Sequence, residues 1–134
     1  MNQQQVPPTL LLVDDMAESR NGFKAQFEQG GYRVVTAHDE ENAAIVSRIY
    51  LPDLILIDLV IPPSNYFEVA HRIRHSCVHR SDVPVVVFAD RASEVVSEGV
   101  EVSIGQNVYA ILPLDFDQLQ SYLGRLHEAL KQAA

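Results

Sequence analysis

Residues 54–62 read LILIDLVIP, and a single carboxylate, that of Asp58, interrupts this otherwise apolar run. The apolar residues before Asp58 favour a strand that is buried on both faces. Burying an unpartnered carboxylate is costly, so Asp58 must be partnered, neutralised or placed at the edge of a core. The residues that such a strand brings next to Asp58 therefore determine what this carboxylate can do.

The composition fits one globular domain that binds neither membrane nor nucleic acid. The chain has 134 residues, of which 47% are hydrophobic, and no apolar stretch approaches the roughly 18 residues of a membrane span. A net charge of −8 argues against nucleic-acid binding by this domain. Cys77 is the only cysteine, which fits a cytoplasmic protein. We expect residues 1–8 to be a disordered lead-in and residues 9–134 to form the domain.

Apolar runs alternate with helical patterns along the chain. Strands are predicted at 10–13, 32–37, 54–58, 83–89 and 108–112. Helices are predicted at 16–29, after Asp39 to about 50, at 66–76 and after Asp115. Residues 90–107 are ambiguous, because a short helix near 93–98 competes with strand-like GVEVS. This alternation predicts an α/β fold with one doubly wound, five-stranded parallel sheet, whose strands all end on the same rim.

Three carboxylates are expected on that rim. Asp14 and Asp15 follow the first strand and Asp58 ends the third, so these strand ends can be neighbours. Three close carboxylates repel one another, and a hard divalent cation such as Mg²⁺ would neutralise them. A carboxylate beside such an ion can attack phosphorus and form an acyl phosphate. The alternative is that Asp14 and Asp15 simply cap the following helix.

Two motifs resemble the receiver domain of two-component response regulators. They are LLLVDDMAESR at 10–20 and LPDLILIDLVIPP at 51–63, and the resemblance extends over about residues 9–131. It implies a flavodoxin-like sheet with strand order 2-1-3-4-5. It also implies that Asp58 is the phosphoacceptor, that Asp14 and Asp15 hold Mg²⁺, and that Val60 lends a backbone carbonyl to the metal.

The sequence departs from the family pattern on the other side of the expected site. Ala89 stands where the family has the Thr or Ser that bonds the phosphoryl group, and Leu112 stands where it has a lysine. Residues 65–66 are Asn-Tyr instead of the usual Asp-Gly. Tyr109 is either the family's switching aromatic or an ordinary strand tyrosine. The resemblance therefore predicts an atypical receiver that binds Mg²⁺ and accepts phosphate slowly, but does not switch by the usual route.

The leading hypothesis is a non-enzymatic signalling module that works with a sensor histidine kinase or phosphotransfer protein. A homodimer would use the face from the fourth predicted strand to the last helix. A second hypothesis is a pseudo-receiver that binds partners independently of phosphorylation. An aspartyl-phosphate phosphatase is disfavoured because residues 16 and 60 are not a second Asp. A flavin or nucleotide carrier is disfavoured because two aspartates begin the first loop.

Overall fold

The structure is a computed structural model that describes residues 6–62, 65–77, 80, 82–89 and 96–133. Its strands are β1 (Thr9–Asp14), β2 (Arg33–Ala37), β3 (Leu54–Asp58), β4 (Val85–Phe88), β5 (Glu101–Gly105) and β6 (Val108–Ile111). Its helices are α1 (Ala17–Gln29), α2 (Glu40–Tyr50), α3 (Tyr66–Cys77) and α4 (Phe116–Ala133). Residues 1–5 of the predicted lead-in lie outside the described residues, and residues 6–8 carry neither helix nor strand.

The strands form one sheet in the order β2-β1-β3-β4-β6-β5. The strands from β2 to β6 in this order are parallel, so they reproduce the predicted order 2-1-3-4-5, with β6 as the predicted fifth strand. The predicted fold class is confirmed. The strand count is different, because β5 adds a sixth strand, antiparallel to β6, at one edge of the sheet.

The added strand lies in the region that the sequence left ambiguous. Val100, Val102 and Ile104 alternate with polar or small residues, and Val102 and Ile104 pack on the core. This period of two is typical of a strand with one buried face. Gln106 and Asn107 join β5 to β6 with φ values of 54° and 61°, as a type I′ hairpin turn requires. Residues 93–95 of the predicted short helix lie outside the described residues, and Glu98 pairs with Leu112 in a β-bridge instead of continuing a helix.

The sheet separates two apolar clusters, one on each face, as a doubly wound fold requires. Leu10 and Leu12 of β1 pack with residues of α1 and α4, whereas Leu11 and Val13 pack with residues of α2 and α3. Other fully buried members of the two clusters are Phe27, Leu119, Leu123, Ile55, Ile57 and Ile73. Burial on both faces explains why β1 and β3 are continuously apolar and why polar chemistry is confined to their ends.

Side-chain caps begin two of the helices where the sequence predicts them. Asp39 Oδ1 accepts a hydrogen bond from the amide of Asn42 at 2.7 Å. Asp115 Oδ1 accepts one from the Gln118 amide at 2.8 Å, while Gln118 Oε1 accepts one from the Leu114 amide at 2.7 Å. This reciprocal pair resembles a capping box. Across the described part of the chain, no helix combines the length and the apolar character needed to cross a bilayer.

Replacing Asp115→Ala should lower the free energy of unfolding by about 1 kcal/mol, because the cap of α4 is lost. Urea denaturation followed by circular dichroism measures this change. Asp117→Ala is the matched control, since Asp117 is an exposed carboxylate in the first turn of the same helix. Equal destabilisation by the two substitutions would show that only the helix-dipole charge matters.

Candidate phosphoacceptor site

The carboxyl ends of β1 and β3 meet at the rim, where Asp14 and Asp58 are direct partners in the strand register. Asp14 is 1% exposed, whereas Asp15, one residue on, is exposed. All three carboxylates line one cavity of about 290 Å³. The other residues lining it are Met16, Ser19, Leu59, Val60, Ile61, Tyr66, Phe88, Ala89 and Leu112. The predicted meeting of the three acids at one edge of the sheet is therefore found.

Asp14 uses only part of its hydrogen-bonding capacity. Its Oδ1 accepts a hydrogen bond from the Met16 amide at 2.9 Å, and its backbone oxygen accepts one from Arg20 Nη1 at 2.9 Å. Its Oδ2 is buried and has no hydrogen-bond partner among the described residues. The capping alternative is not borne out, because Met16 is the N-cap of α1 and the helix has no side-chain cap hydrogen bond. Asp14 Oδ2 is left for a ligand, since a buried oxygen without a partner is costly.

Asp58 is harder to ionise than an ordinary aspartate. Burial is the main cause, the charge of Asp14 adds to it, and together they raise the pKa of Asp58 from 3.8 to about 6. The Ser19 hydroxyl donates a hydrogen bond to Asp58 Oδ2 at 3.2 Å, which favours the charged form and acts in the opposite direction. Asp58 is thus a carboxylate whose charge is destabilised in the absence of a cation.

The loop after Asp58 contacts Asp15 through the backbone amide of Val60. The Val60 amide donates a weak hydrogen bond to Asp15 Oδ2 at 3.4 Å, and the Val60 side chain is 82% exposed. That the Val60 carbonyl is a metal ligand stays a prediction. In the ranges that the structure describes, no three His, Cys, Asp or Glu side chains are grouped so as to hold a metal ion. A cation here would therefore need backbone and water oxygens, which Mg²⁺ ordinarily uses beside one or two carboxylates.

The wall that faces the acids is apolar. Ala89 and Leu112 are 1% and 8% exposed, and both line the cavity with Asp58, at the ends of β4 and β6. The Ala89 amide donates to the Ile111 carbonyl at 2.7 Å, which holds the two strand ends together. The chain has two lysines, Lys24 in α1 and Lys131 near the end of α4. Neither belongs to the strand ends that form this rim. Both substituted positions are thus at the site, as predicted.

Tyr109 lies outside this cavity wall. It is half-buried in β6, and its ring meets that of Tyr122 of α4 edge to face, with centroids 6.2 Å apart. It belongs to the cluster of apolar residues between the sheet and α1 and α4. Its contacts in this structure are those of a strand tyrosine that packs on a helix, and a switching role stays a prediction.

The sequence did not single out several residues of the cavity, among them Phe88 and Ser19, and it marked Tyr66 only as a departure from the family pattern. Phe88 is the last residue of β4, and Tyr66 is the first of α3, where the family pattern would place a glycine. Ser19 lies in the first turn of α1 and reaches Asp58 across 39 residues of the sequence. No local sequence pattern signals this contact.

Comparisons with known proteins agree with this geometry. The sequence model of the response regulator receiver domain matches residues 10–123. The chain therefore belongs to the response regulator receiver family, the receiver domains of two-component systems.

The curated relatives described next are transcriptional regulators. A probable transcriptional regulator, ycf27, of Porphyra purpurea is 28% identical over 92% of this chain and 48% of its own length. The transcriptional regulatory protein AfsQ1 of Streptomyces coelicolor is 31% identical over 80% of this chain and 45% of its own. The chain spans about half the length of these curated relatives.

A solved structure of similar fold carries a metal. It is the receiver domain of the sensor histidine kinase PA1611 of Pseudomonas aeruginosa, with a magnesium ion coordinated in its active-site cleft. It superposes with a TM-score of 0.67, at 22% identity, over 92% of this chain and 99% of that one. At this identity the likeness establishes the shared fold.

Replacing Asp58→Asn should stabilise the metal-free protein by about 1 kcal/mol at pH 7, after allowance for solvent screening. Between pH 3.8 and about 6 the folded protein holds a proton on Asp58 that the unfolded chain has released. Stability should therefore fall as the pH rises through this window, and the Asn variant should lack that part of the slope.

Urea denaturation in the presence of a chelator, at several pH values between 4 and 7, measures both effects. Asp117→Asn is the control, because it removes one exposed carboxylate that does not line the cavity. If the two variants had the same stability and the same pH dependence, ionised Asp58 would not destabilise the folded protein and the prediction would be wrong.

Proposed function

We propose that this chain accepts a phosphoryl group on Asp58, with Mg²⁺ held beside it by Asp14 and Asp15. The observation that carries the proposal is the register pair of Asp14 and Asp58 at one cavity, with Asp14 Oδ2 buried and unpartnered among the described residues. The raised pKa of Asp58 also supports the proposal. The charge of Asp14 contributes to that rise, and a cation beside the two carboxylates would offset their repulsion.

The donor set suits a hard cation. Mg²⁺ would bind one or two of the carboxylates of Asp14, Asp15 and Asp58 together with the backbone carbonyl of Val60, and water would complete its shell. When bound, Mg²⁺ supplies positive charge that offsets the negative charge of the carboxylates and of an incoming phosphoryl group. Asp14 Oδ2 can serve in this way without giving up the hydrogen bond that Oδ1 makes to Met16.

Asp58 supplies the nucleophile. One of its carboxylate oxygens forms a bond to phosphorus while the bond from phosphorus to the donor's leaving group breaks, and the leaving group departs with the bonding electrons. The reaction needs the ionised carboxylate, and with a pKa of about 6 most of Asp58 is ionised at pH 7. On the other side of the acceptor, Phe88, Ala89 and Leu112 form an apolar wall of the cavity.

A second candidate function is a module that binds partners independently of phosphorylation. It is favoured by that same wall, because Ala89 and Leu112 offer a phosphoryl group neither a hydroxyl nor a cation. A hydrogen bond to a charged group contributes about 1.5–3 kcal/mol, and a nearly complete two-state switch needs about 5.5 kcal/mol. Without these two contacts, phosphorylation would have little free energy with which to move the fold.

The partners are proposed from membership of the receiver family and from the exposed surface. We place the phosphodonor in a sensor histidine kinase or phosphotransfer protein and regard the chain as a cytoplasmic signalling module, not a turnover enzyme or a nucleic-acid binder. Self-association would use the surface from β4 to α4, where Val100 and Leu114 are 50% and 64% exposed.

Incubation with acetyl phosphate and Mg²⁺ should add one phosphoryl group per chain to the wild type and none to Asp58→Asn. Intact-mass spectrometry measures the adduct directly. Asp53→Asn is a control carboxylate at the opposite ends of the strands, where Asp53 contacts Thr9 and Arg80. Labelling of Asp58→Asn to the wild-type extent would contradict the assignment, and absence of labelling in the wild type would leave the partner-binding module as the function.

Restoring the missing contacts should restore switching. In the double variant Ala89→Thr/Leu112→Lys, phosphorylation should alter amide hydrogen exchange at the ends of β4 and β6, since new hydroxyl and ammonium groups can bond the phosphoryl oxygens. In the wild type the same treatment should leave these segments unchanged. A large change in the wild type would show that it switches without the two contacts.

A further inference from the structure

Ser19 connects helix α1 to the acceptor strand. It lies in the first turn of α1, and its Oγ donates to Asp58 Oδ2 at 3.2 Å across a separation of 39 residues. Ser19 also lines the cavity that holds the three carboxylates. Its hydroxyl is therefore in contact with a group that the proposed function makes reactive.

A phosphoryl group on Asp58 would find few donors in this cavity. It brings a charge of about −1.5 to −2 at pH 7 and three strong acceptor oxygens. The described side chains around it are carboxylates, apolar groups and only two hydroxyl groups, those of Ser19 and Tyr66. The Ser19 hydroxyl already donates a hydrogen bond to the acceptor itself.

The charge that Ser19 now bonds would move when the phosphoryl group arrives. An Asp58 carboxylate oxygen forms a bond to phosphorus, the bond from phosphorus to the acetate oxygen of acetyl phosphate breaks, and acetate leaves with the bonding pair. The negative charge then resides on the phosphoryl oxygens. A serine hydroxyl rotates to suit its acceptor, so its proton can follow that charge without movement of the helix.

Two hydrogen bonds join the first turn of α1 to Asp14. The Met16 amide donates to Asp14 Oδ1 and Arg20 Nη1 donates to the Asp14 carbonyl, both at 2.9 Å. Met16 and Arg20 lie on either side of Ser19 in the sequence, so the two bonds connect this segment to the end of β1. We propose that the Ser19 hydroxyl donates a hydrogen bond to the phosphoryl group transferred to Asp58, from the α1 side of the site. This inference rests on the proposed function, because it requires Asp58 to be the acceptor.

The first experiment compares labelling rates with acetyl phosphate and Mg²⁺ by intact mass. Ser19→Ala should label about tenfold more slowly than the wild type, since a charge-assisted hydrogen bond is lost in the transition state. Ser19→Thr keeps the hydroxyl and should keep the wild-type rate. Ser121→Ala, an exposed serine of α4, is the matched control and should also label normally.

The second experiment needs neither metal nor phosphodonor. A double-mutant cycle of Ser19→Ala and Asp58→Ala, followed by urea denaturation in a chelator, isolates the contact between the two side chains. Ser19→Ala should lower the urea midpoint in the wild-type background and leave it unchanged in the Asp58→Ala background.

The outcomes separate this inference from the function on which it rests. A labelled wild type with an equally fast Ser19→Ala variant would overturn the role of Ser19 and leave Asp58 as the acceptor. Equal slowing of Ser19→Ala and Ser19→Thr, or a cycle without coupling, would assign the effect to packing and overturn it as well. A wild type that is labelled no more than Asp58→Asn would overturn both proposals.

Discussion

Two carboxylates, those of Asp14 and Asp58, lie side by side where two buried parallel strands end, and the cost of burying their charges, increased by their mutual repulsion, governs this site. The register of β1 and β3 makes them direct partners. The strand residues that precede them are buried and apolar, so the core offers these carboxylates no polar partner. One oxygen of Asp14 is satisfied by the start of α1, and one oxygen of Asp58 by Ser19. The remaining destabilisation appears as the raised pKa of Asp58 and as the unpartnered Asp14 Oδ2 in the described structure.

The site is asymmetric because its two sides are built from different chemistry. The side formed by β1, β3 and α1 carries all of its carboxylates and the hydroxyl group of Ser19. The side formed by the ends of β4 and β6 is apolar at Ala89 and Leu112. Chemistry at Asp58 needs mainly the first side, whereas transmission of a charge change toward β6 would need the second. Membership of the receiver family therefore fixes the architecture and leaves the mode of signalling to these particular residues.

The sequence was sufficient for the parallel part of the fold and for the acids. Continuous apolar runs that end in Asp14 and Asp58 predict both the strands and the rim, because burial on two faces leaves only the strand ends for charge. The β5 strand was missed because its alternating pattern covers only five residues and closely follows residues 93–98, whose pattern favoured a short helix. Ser19 was missed because a contact across 39 residues depends on how α1 lies against β3, which no local pattern contains.

The β5–β6 hairpin also bears on how the sheet is assembled. Among the described strand pairs it is the one that closes over two residues, Gln106 and Asn107, whereas each parallel pair requires a crossover through intervening chain. Short closures cost little chain entropy and form quickly, while distant pairings are slow. The strand β6 can thus acquire its outer neighbour, β5, before it docks on β4. We therefore expect that edge to form before β1 pairs with β3, the pairing on which the acidic pair depends.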